Sequence, residues 1–216
     1  MRLSKLILIL GTVLLHGASL LSASTYDGTF HSTYGFIKMV KTGNQEYVKL
    51  FIERGINVNL KTDNDLTPLM WATITRQAAI VDLLLANKAD VQMQDRDGYS
   101  ALMWAIRYGH TEIVRTLMKA GASIQQKERN FGWTPLFLAA YYGDSETTAA
   151  LIQAGADIQL KDYKGWTALM LAQSMGNPEI VRLLRQEGAS EWLCQPLIQT
   201  GDVGTICLDS AITQAF

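Results

Sequence analysis

The 216-residue sequence has little of the material from which many kinds of functional site are built. It holds two cysteines, three histidines, four prolines and 17 glycines, which excludes a framework of several disulfides and any collagen-like or low-complexity structure. Lys and Arg total 19 against 20 Asp and Glu, so a nucleic-acid binder that relies on bulk positive charge is excluded. Because 48% of the residues are hydrophobic and 18% charged, we expect a folded chain of one or two domains.

Motifs for catalysis or metal binding are also missing from the sequence. It contains no Cys-x-x-Cys, no His-x-x-x-His, no phosphate-binding glycine loop and no Gly-x-Ser-x-Gly. Two Asp-x-Asp pairs, Asp63 with Asp65 and Asp95 with Asp97, have the chemistry to bind a cation, but acidic residues in solvated turns explain them more simply. We therefore expect no metal, no cofactor and no enzymatic activity.

The N-terminus has the pattern of a secretory signal peptide. Arg2 and Lys5 precede the apolar run Leu6–Leu15, and small residues follow at positions 22–24. This pattern predicts a signal peptide over residues 1–23, a short linker over 24–33, and a net charge that changes from −1 to −3 on cleavage. The alternative is a retained anchor, because residues 6–23 carry no charge and are close to the minimum length that spans a bilayer.

The body of the chain is a repeat. Four segments share a Thr or Ser followed by a Pro or Ala, a Leu and, three residues later, an Ala. They are DLTPLMWA at 65–72, GYSALMWA at 98–105, GWTPLFLA at 132–139 and GWTALMLA at 165–172. Their Thr or Ser positions are spaced by 33, 34 and 33 residues, and an apolar stripe of helical spacing follows each segment. A degenerate unit at 36–58 keeps only this second half, as expected for a terminal repeat.

This period and its Thr-Pro-Leu core resemble the ankyrin-repeat family. The resemblance implies an all-α solenoid of about five helix-turn-helix repeats, at about 34–66, 67–99, 100–133, 134–166 and 167–190. It implies that His110 forms a hydrogen bond between neighbouring turns. The sequence departs from the family where Arg76 and Gln77 replace the usual Gly-His, where Met or Phe replaces the usual His of the first helix, and where Lys127–Phe131 holds one extra residue.

Residues at the positions through which ankyrin-repeat proteins contact their partners are largely aromatic here. They lie just before the Thr or Ser and seven to eight residues after it. We name as the aromatic strip the residues Tyr99, Arg107, Tyr108, Trp133, Tyr141, Tyr142 and Trp166. Trp, Tyr and Arg are enriched in binding hot spots, so we expect this strip to bind a partner. The alternative is that several rings pack between repeats and serve stability; Trp71 and Trp104 are compatible with either role.

The tail at 191–216 lies beyond the repeats and carries both cysteines, Cys194 and Cys207. In an exported protein we expect them to pair and to staple a C-terminal cap over the last repeat, with a loop-closure stabilisation of about 3 kcal/mol. Trp192 is expected to cover the apolar end of the array. A redox-active pair is the alternative, although the Cys-x-x-Cys spacing that activates a thiol is absent.

Together these features predict an exported protein, periplasmic if its source is bacterial and otherwise secreted, that binds another protein. The partner that we expect is an envelope enzyme or a delivered toxin, masked by an inhibitor or immunity-type protein. The resemblance leaves a second possibility, a stress-defence helper of a haem enzyme such as catalase. We expect no nucleic acid, and membrane contact only through an uncleaved N-terminal segment.

Overall fold

The computed structural model describes residues 28–189, 192–196 and 205–209. The predicted signal peptide and its predicted cleavage region therefore lie outside the described residues. Within these ranges lie ten helices: α1 (Gly28–Lys41), α2 (Gln45–Glu53), α3 (Pro68–Ile74), α4 (Ala78–Ala86), α5 (Ala101–Arg107), α6 (Thr111–Lys119), α7 (Pro135–Tyr142), α8 (Ser145–Gln153), α9 (Ala168–Ser174) and α10 (Pro178–Gln186). None of the helices in these ranges is long and apolar enough to cross a membrane.

The helices form two parallel layers. The first helix of every repeat packs on the first helix of the next, in the order α1, α3, α5, α7, α9, and the second helices α2, α4, α6, α8 and α10 do the same. Helices of seven to nine residues are too short to be stable alone in water, so the packing between repeats is what keeps them folded. The predicted all-α array of about five repeats is confirmed.

Hydroxyl groups cap the N-termini of three of the first helices. Thr67 Oγ1 accepts the Met70 N–H at 3.2 Å, and Ser100 and Thr167 accept the corresponding N–H groups at 3.3 Å. Thr134 makes no such bond, and its helix α7 begins with Pro135 instead, whose fixed φ suits the first helical position.

The core takes residues from both helix layers and continues from repeat to repeat. Small residues that allow two helices to approach closely are fully buried, namely Ala72, Ala105, Ala139 and Ala172. Met70, Met103 and Phe137 are each at most 1% exposed where the family usually has His. The chain has therefore replaced a polar column with an apolar one, which adds buried apolar area to the stack.

Polar side chains connect successive repeats at the start of the second helices. His110 donates to the Ile74 carbonyl, which confirms the link that its position implied, and burial lowers the pKa of its imidazole. Gln77 Nε2 donates to the Lys41 carbonyl at 3.4 Å. The Gln77 amide thus makes the hydrogen bond between repeats that the usual histidine would make. The link between these repeats is kept although the residue differs from the family pattern.

All the left-handed non-glycine residues of the described chain lie in the second repeat or in the turn that leads into it. Asp65, Arg76 and Lys88 have φ of 60°, 56° and 64°. The other full repeats have glycine at these places, such as Gly121 in the position of Lys88 (φ 84°). A left-handed backbone costs a residue with a Cβ about 1–2 kcal/mol, so this repeat holds more backbone strain than its neighbours.

Two differences from the sequence expectation lie at the ends of the array. Helix α1 begins at Gly28, ahead of the repeat start expected near residue 34. The tail contains two strands, β1 (Trp192–Pro196) and β2 (Thr205–Asp209), which pair antiparallel and place Cys194 opposite Cys207. The all-α description therefore holds for the repeats and not for the tail.

Replacing Lys88 with glycine is predicted to raise the free energy of unfolding by about 0.5–1 kcal/mol, because the relief of left-handed strain exceeds the entropy that glycine loses on folding. Urea unfolding of both proteins measures the difference. The matched control is Lys119→Gly in the last turn of α6, which should lower stability by up to about 1 kcal/mol. A destabilised Lys88→Gly variant would contradict the strain argument.

Candidate protein-binding surface

Three of the turns between repeats, which we call fingers, are each held at the base by an acidic side chain. In the finger at 95–99, Asp95 Oδ1 accepts the N–H groups of Asp97 at 3.0 Å and Tyr99 at 2.8 Å, and its Oδ2 accepts the Trp104 indole N–H at 2.9 Å. Asp95 is 4% exposed, and burial raises the pKa of its carboxyl above the usual value despite these donors. The interpretation of Asp95 as a solvated turn residue was therefore wrong.

Glu128 likewise accepts backbone N–H groups in the finger that contains the extra residue. Its Oε2 accepts the Asn130 N–H at 2.7 Å, and its Oε1 accepts those of Phe131 at 2.7 Å and Trp133 at 3.0 Å. The turn closes from Glu128 to Trp133, one residue longer than the turn from Asp95 to Tyr99. The longer side chain of Glu, compared with Asp, therefore accompanies the longer loop. Sequence reasoning missed Glu128, although the sequence shows both the extra residue and a Glu where two other fingers have Asp.

The third acidic residue, Asp162, joins two fingers. Its Oδ1 accepts the N–H groups of Lys164 at 2.8 Å and Trp166 at 2.9 Å, and its Oδ2 accepts the indole N–H of Trp133 at 3.1 Å from the preceding finger. The two tryptophans of the aromatic strip are thus fixed to the same carboxylate. This places Trp166 beside Trp133 without any ring contact between them.

Backbone hydrogen bonds connect the finger tips. Arg129 N–H donates to the Asp97 carbonyl at 2.8 Å, and Tyr163 N–H donates to the Phe131 carbonyl at 2.9 Å. Gly98 lies so near that a Cβ there would be 2.9 Å from the Arg129 nitrogen. The fingers from residue 95 to residue 166 therefore form one continuous edge rather than independent loops.

The first half of the aromatic strip is built around Trp104. Tyr99 and Tyr108 lie on either side of its indole, with ring centroids at 5.1 and 5.9 Å. The guanidinium of Arg107 is 5.2 Å from the Trp104 ring and 5.8 Å from the Tyr99 ring, within cation–π range. Burial and the nearby Glu128 charge raise the pKa of the Tyr99 hydroxyl, so Tyr99 is neutral at physiological pH.

The second half is built around Trp133. Its ring contacts those of Phe131 and Tyr141, each with centroids 5.1 Å apart, and Tyr141 contacts Tyr142 edge-on at 5.1 Å. Offset and edge-on pairs of this kind add to packing. The rings are therefore held in place before any partner binds.

Exposure divides the aromatic strip into two groups. Tyr108, Tyr141, Tyr142 and Trp166 are between 36% and 48% exposed, and Arg107 is also exposed. Tyr99 and Trp133 are half-buried and pack on the core. The first group meets solvent where a partner can reach it, whereas Tyr99 and Trp133 also support the fold. Phe131, 45% exposed, extends the surface and was not among the predicted residues.

No group of three or more His, Cys, Asp or Glu side chains arranged to hold a metal ion is found in the described residues. Asp95, the most buried member of the two Asp-x-Asp pairs, already directs both oxygens at protein N–H donors. What the described surface offers is therefore recognition by rings and hydrogen bonds.

Comparison with known proteins agrees with the two-layered fold. The sequence matches the ankyrin-repeat family, described as ankyrin repeats in three copies, over residues 36–128 and 124–193. This is more than half of the chain, and the chain belongs to the ankyrin-repeat family. Ankyrin repeats are protein-binding modules and are typically not catalytic.

Individual relatives share only the repeats. The chain is 39% identical over 97 residues to ankyrin repeat and SAM domain-containing protein 6 of Rattus norvegicus, which covers 44% of this chain and 11% of that protein. It is 33% identical over 88 residues to 26S proteasome non-ATPase regulatory subunit 10 of Dictyostelium discoideum, covering 40% and 38%. The chain thus spans well under two thirds of the length of these curated relatives.

The two tryptophans of the aromatic strip should respond differently to truncation. Trp133→Ala is predicted to lower the free energy of unfolding by about 2–4 kcal/mol, because it removes a core contact and leaves Asp162 without its indole donor. Trp166→Ala should cost less than about 1 kcal/mol, since that ring is 41% exposed and only its backbone N–H is bonded. Urea unfolding with circular dichroism measures both, and equal losses would contradict the assigned roles.

Proposed function

We propose that this protein is a non-catalytic binding module that holds another protein against its aromatic strip and masks it. The observation that carries the proposal is the set of exposed rings at 108, 141, 142 and 166, which lie at the ends of two first helices and on a finger. Exposed aromatic patches of this kind mark interaction sites. Rings already locked by packing lose little freedom on binding, which favours affinity.

The proposed setting is outside the cytoplasm. The support is the charged, apolar and small-residue pattern over residues 1–23. A masked enzyme or toxin of the cell envelope is the partner that we favour, because the aromatic strip offers broad contact and no reacting group. On this proposal the protein acts by covering a site on its partner, as an inhibitor or immunity protein does.

Pairing of Cys194 with Cys207 is part of the same proposal. The support is the strand register, which puts the two residues directly opposite each other. Opposed residues of an antiparallel pair have Cα atoms about 4.5–5.5 Å apart, within the range that a disulfide requires. An oxidising compartment would complete the bridge.

Intact mass of the exported protein tests this pairing. Denaturation and alkylation without reductant should leave both cysteines unmodified, and reduction first should add two alkyl groups. The Cys194→Ser variant serves as the control, because its single remaining thiol should take up one alkyl group without any reduction. Two alkyl groups on the unreduced wild-type protein would contradict the disulfide.

Site-specific photo-crosslinking in the source cells tests the masking proposal. A benzoylphenylalanine at position 142 or 166 should capture one dominant protein, whereas the same group at Tyr34, 70% exposed on α1 and outside the aromatic strip, should not. The captured protein is then purified and its own activity measured with and without the wild-type module. Equal capture from position 34 would contradict the assigned surface, and unchanged partner activity would contradict masking.

A further inference from the structure

The inference that follows rests on the proposed function and concerns the charge of the partner. Two cations of the first-helix layer lie over indole rings. Lys41 Nζ is 3.3 Å from the Trp71 ring centroid, and the Arg107 guanidinium lies over Trp104. The two cations occupy equivalent positions two repeats apart, since Lys41 and Arg107 are separated by 66 residues. The pairs themselves differ, because Lys41 lies over the tryptophan of the next repeat and Arg107 over the tryptophan of its own repeat. Only Arg107 belongs to the aromatic strip.

Arg107 is fixed but has no carboxylate partner among the described residues. The ion pairs found there are Lys49 with Glu53 and Arg115 with Glu146. Arg107 instead hydrogen-bonds to the Tyr99 hydroxyl and lies over two rings. A guanidinium held by stacking keeps most of its N–H donors available and has already lost part of its side-chain freedom. It is therefore prepared to bind an anionic group at a reduced entropy cost.

The surroundings of Arg107 define what that anionic group must be attached to. Tyr108 is the next residue and is 48% exposed, and its ring stacks on Trp104, over which Arg107 lies. A partner group at Arg107 therefore meets aromatic surface beside the guanidinium. An acidic residue flanked by apolar residues fits such a surface, since the carboxylate pairs bidentately with Arg and its neighbours cover the rings.

We propose that Arg107 pairs with a carboxylate of the partner protein, and that the aromatic strip selects acidic segments with apolar or aromatic neighbours. Nucleic acid could use the same rings and guanidinium, but the whole chain carries a net charge of −1. On the fingers, the exposed acids Asp63 and Asp97 alternate with the exposed cations Arg96, Arg129 and Lys164. The aromatic strip itself holds one cation, Arg107. A nucleic-acid strand needs several cations along its phosphates, whereas one carboxylate needs only one.

A randomised twelve-residue peptide library displayed on phage tests this inference without knowledge of the natural partner. Selection on the full-length exported protein should enrich Asp and Glu beside aromatic or apolar residues. Selection on Arg107→Gln should retain the apolar enrichment and lose the acidic one, and Arg107→Glu should enrich Lys and Arg instead. The matched control is Arg115→Gln, which removes an exposed arginine from α6 and should leave the acidic enrichment unchanged.

One selected acidic peptide, synthesised and titrated by fluorescence, gives the size of the effect. Its Kd should rise about tenfold or more in Arg107→Gln, in line with the loss of a charged hydrogen bond. Added salt should weaken binding of the peptide only while Arg107 is present. Arg107→Lys should fall between the two, because the charge stays and the bidentate geometry goes.

The outcomes separate this inference from the proposed function. Peptides without acidic enrichment that still lose binding in Tyr142→Ala would overturn the role of Arg107 and leave the aromatic strip as the binding surface. Peptides whose binding survives both Tyr142→Ala and Trp166→Ala would overturn the proposed surface itself. No enrichment on the wild-type protein, or tighter binding of a labelled random 20-nucleotide single strand than of any peptide, would overturn the acidic-segment inference.

Discussion

Every repeat in this chain depends on its neighbour, because no pair of short helices can cover its own apolar face. Stacking of α3, α5, α7 and α9 through a column of fully buried alanines supplies that cover. The close approach of these helices also sets the spacing of the fingers, so that one finger reaches the next by backbone hydrogen bonds. The proposed binding surface is therefore a consequence of the packing between repeats.

Acidic side chains at the base of three fingers connect this packing to the surface. Asp95, Glu128 and Asp162 each collect two or three N–H donors from a finger, and two of them also bind an indole N–H. The rings are thereby oriented by groups that contact no partner. Tyr99 and Trp133 pack on the core as well as reaching the surface, whereas Tyr142 and Trp166 are exposed and in the proposed function serve binding alone. This division means that loss of folding and loss of binding can be separated by choosing which ring to remove.

The period of 33 residues was enough to predict the fold, because each position of the repeat has one dominant physical role, such as the hydroxyl cap of Thr67 or the small Ala105 between helices. The position of each strip residue on the fingers and first helices followed from the same alignment. The burial of each ring did not follow from that alignment. Trp133 and Trp166 occupy equivalent sequence positions, but Trp133 is the more buried of the two and donates its indole N–H to Asp162. Asp95 was misread because a turn acid is usually solvated, and only the fold shows three donors converging on it.

The central claim is that the exposed rings of the aromatic strip are the contact surface for another protein. The most direct measurement is the affinity of the crosslinked partner for the double variant Tyr142→Ala with Trp166→Ala, compared with Tyr34→Ala at equal folded concentration. The account predicts a loss of at least about tenfold for the double variant, as expected for removal of aromatic hot spots, and no change for Tyr34→Ala. Equal affinities for the two proteins would contradict it.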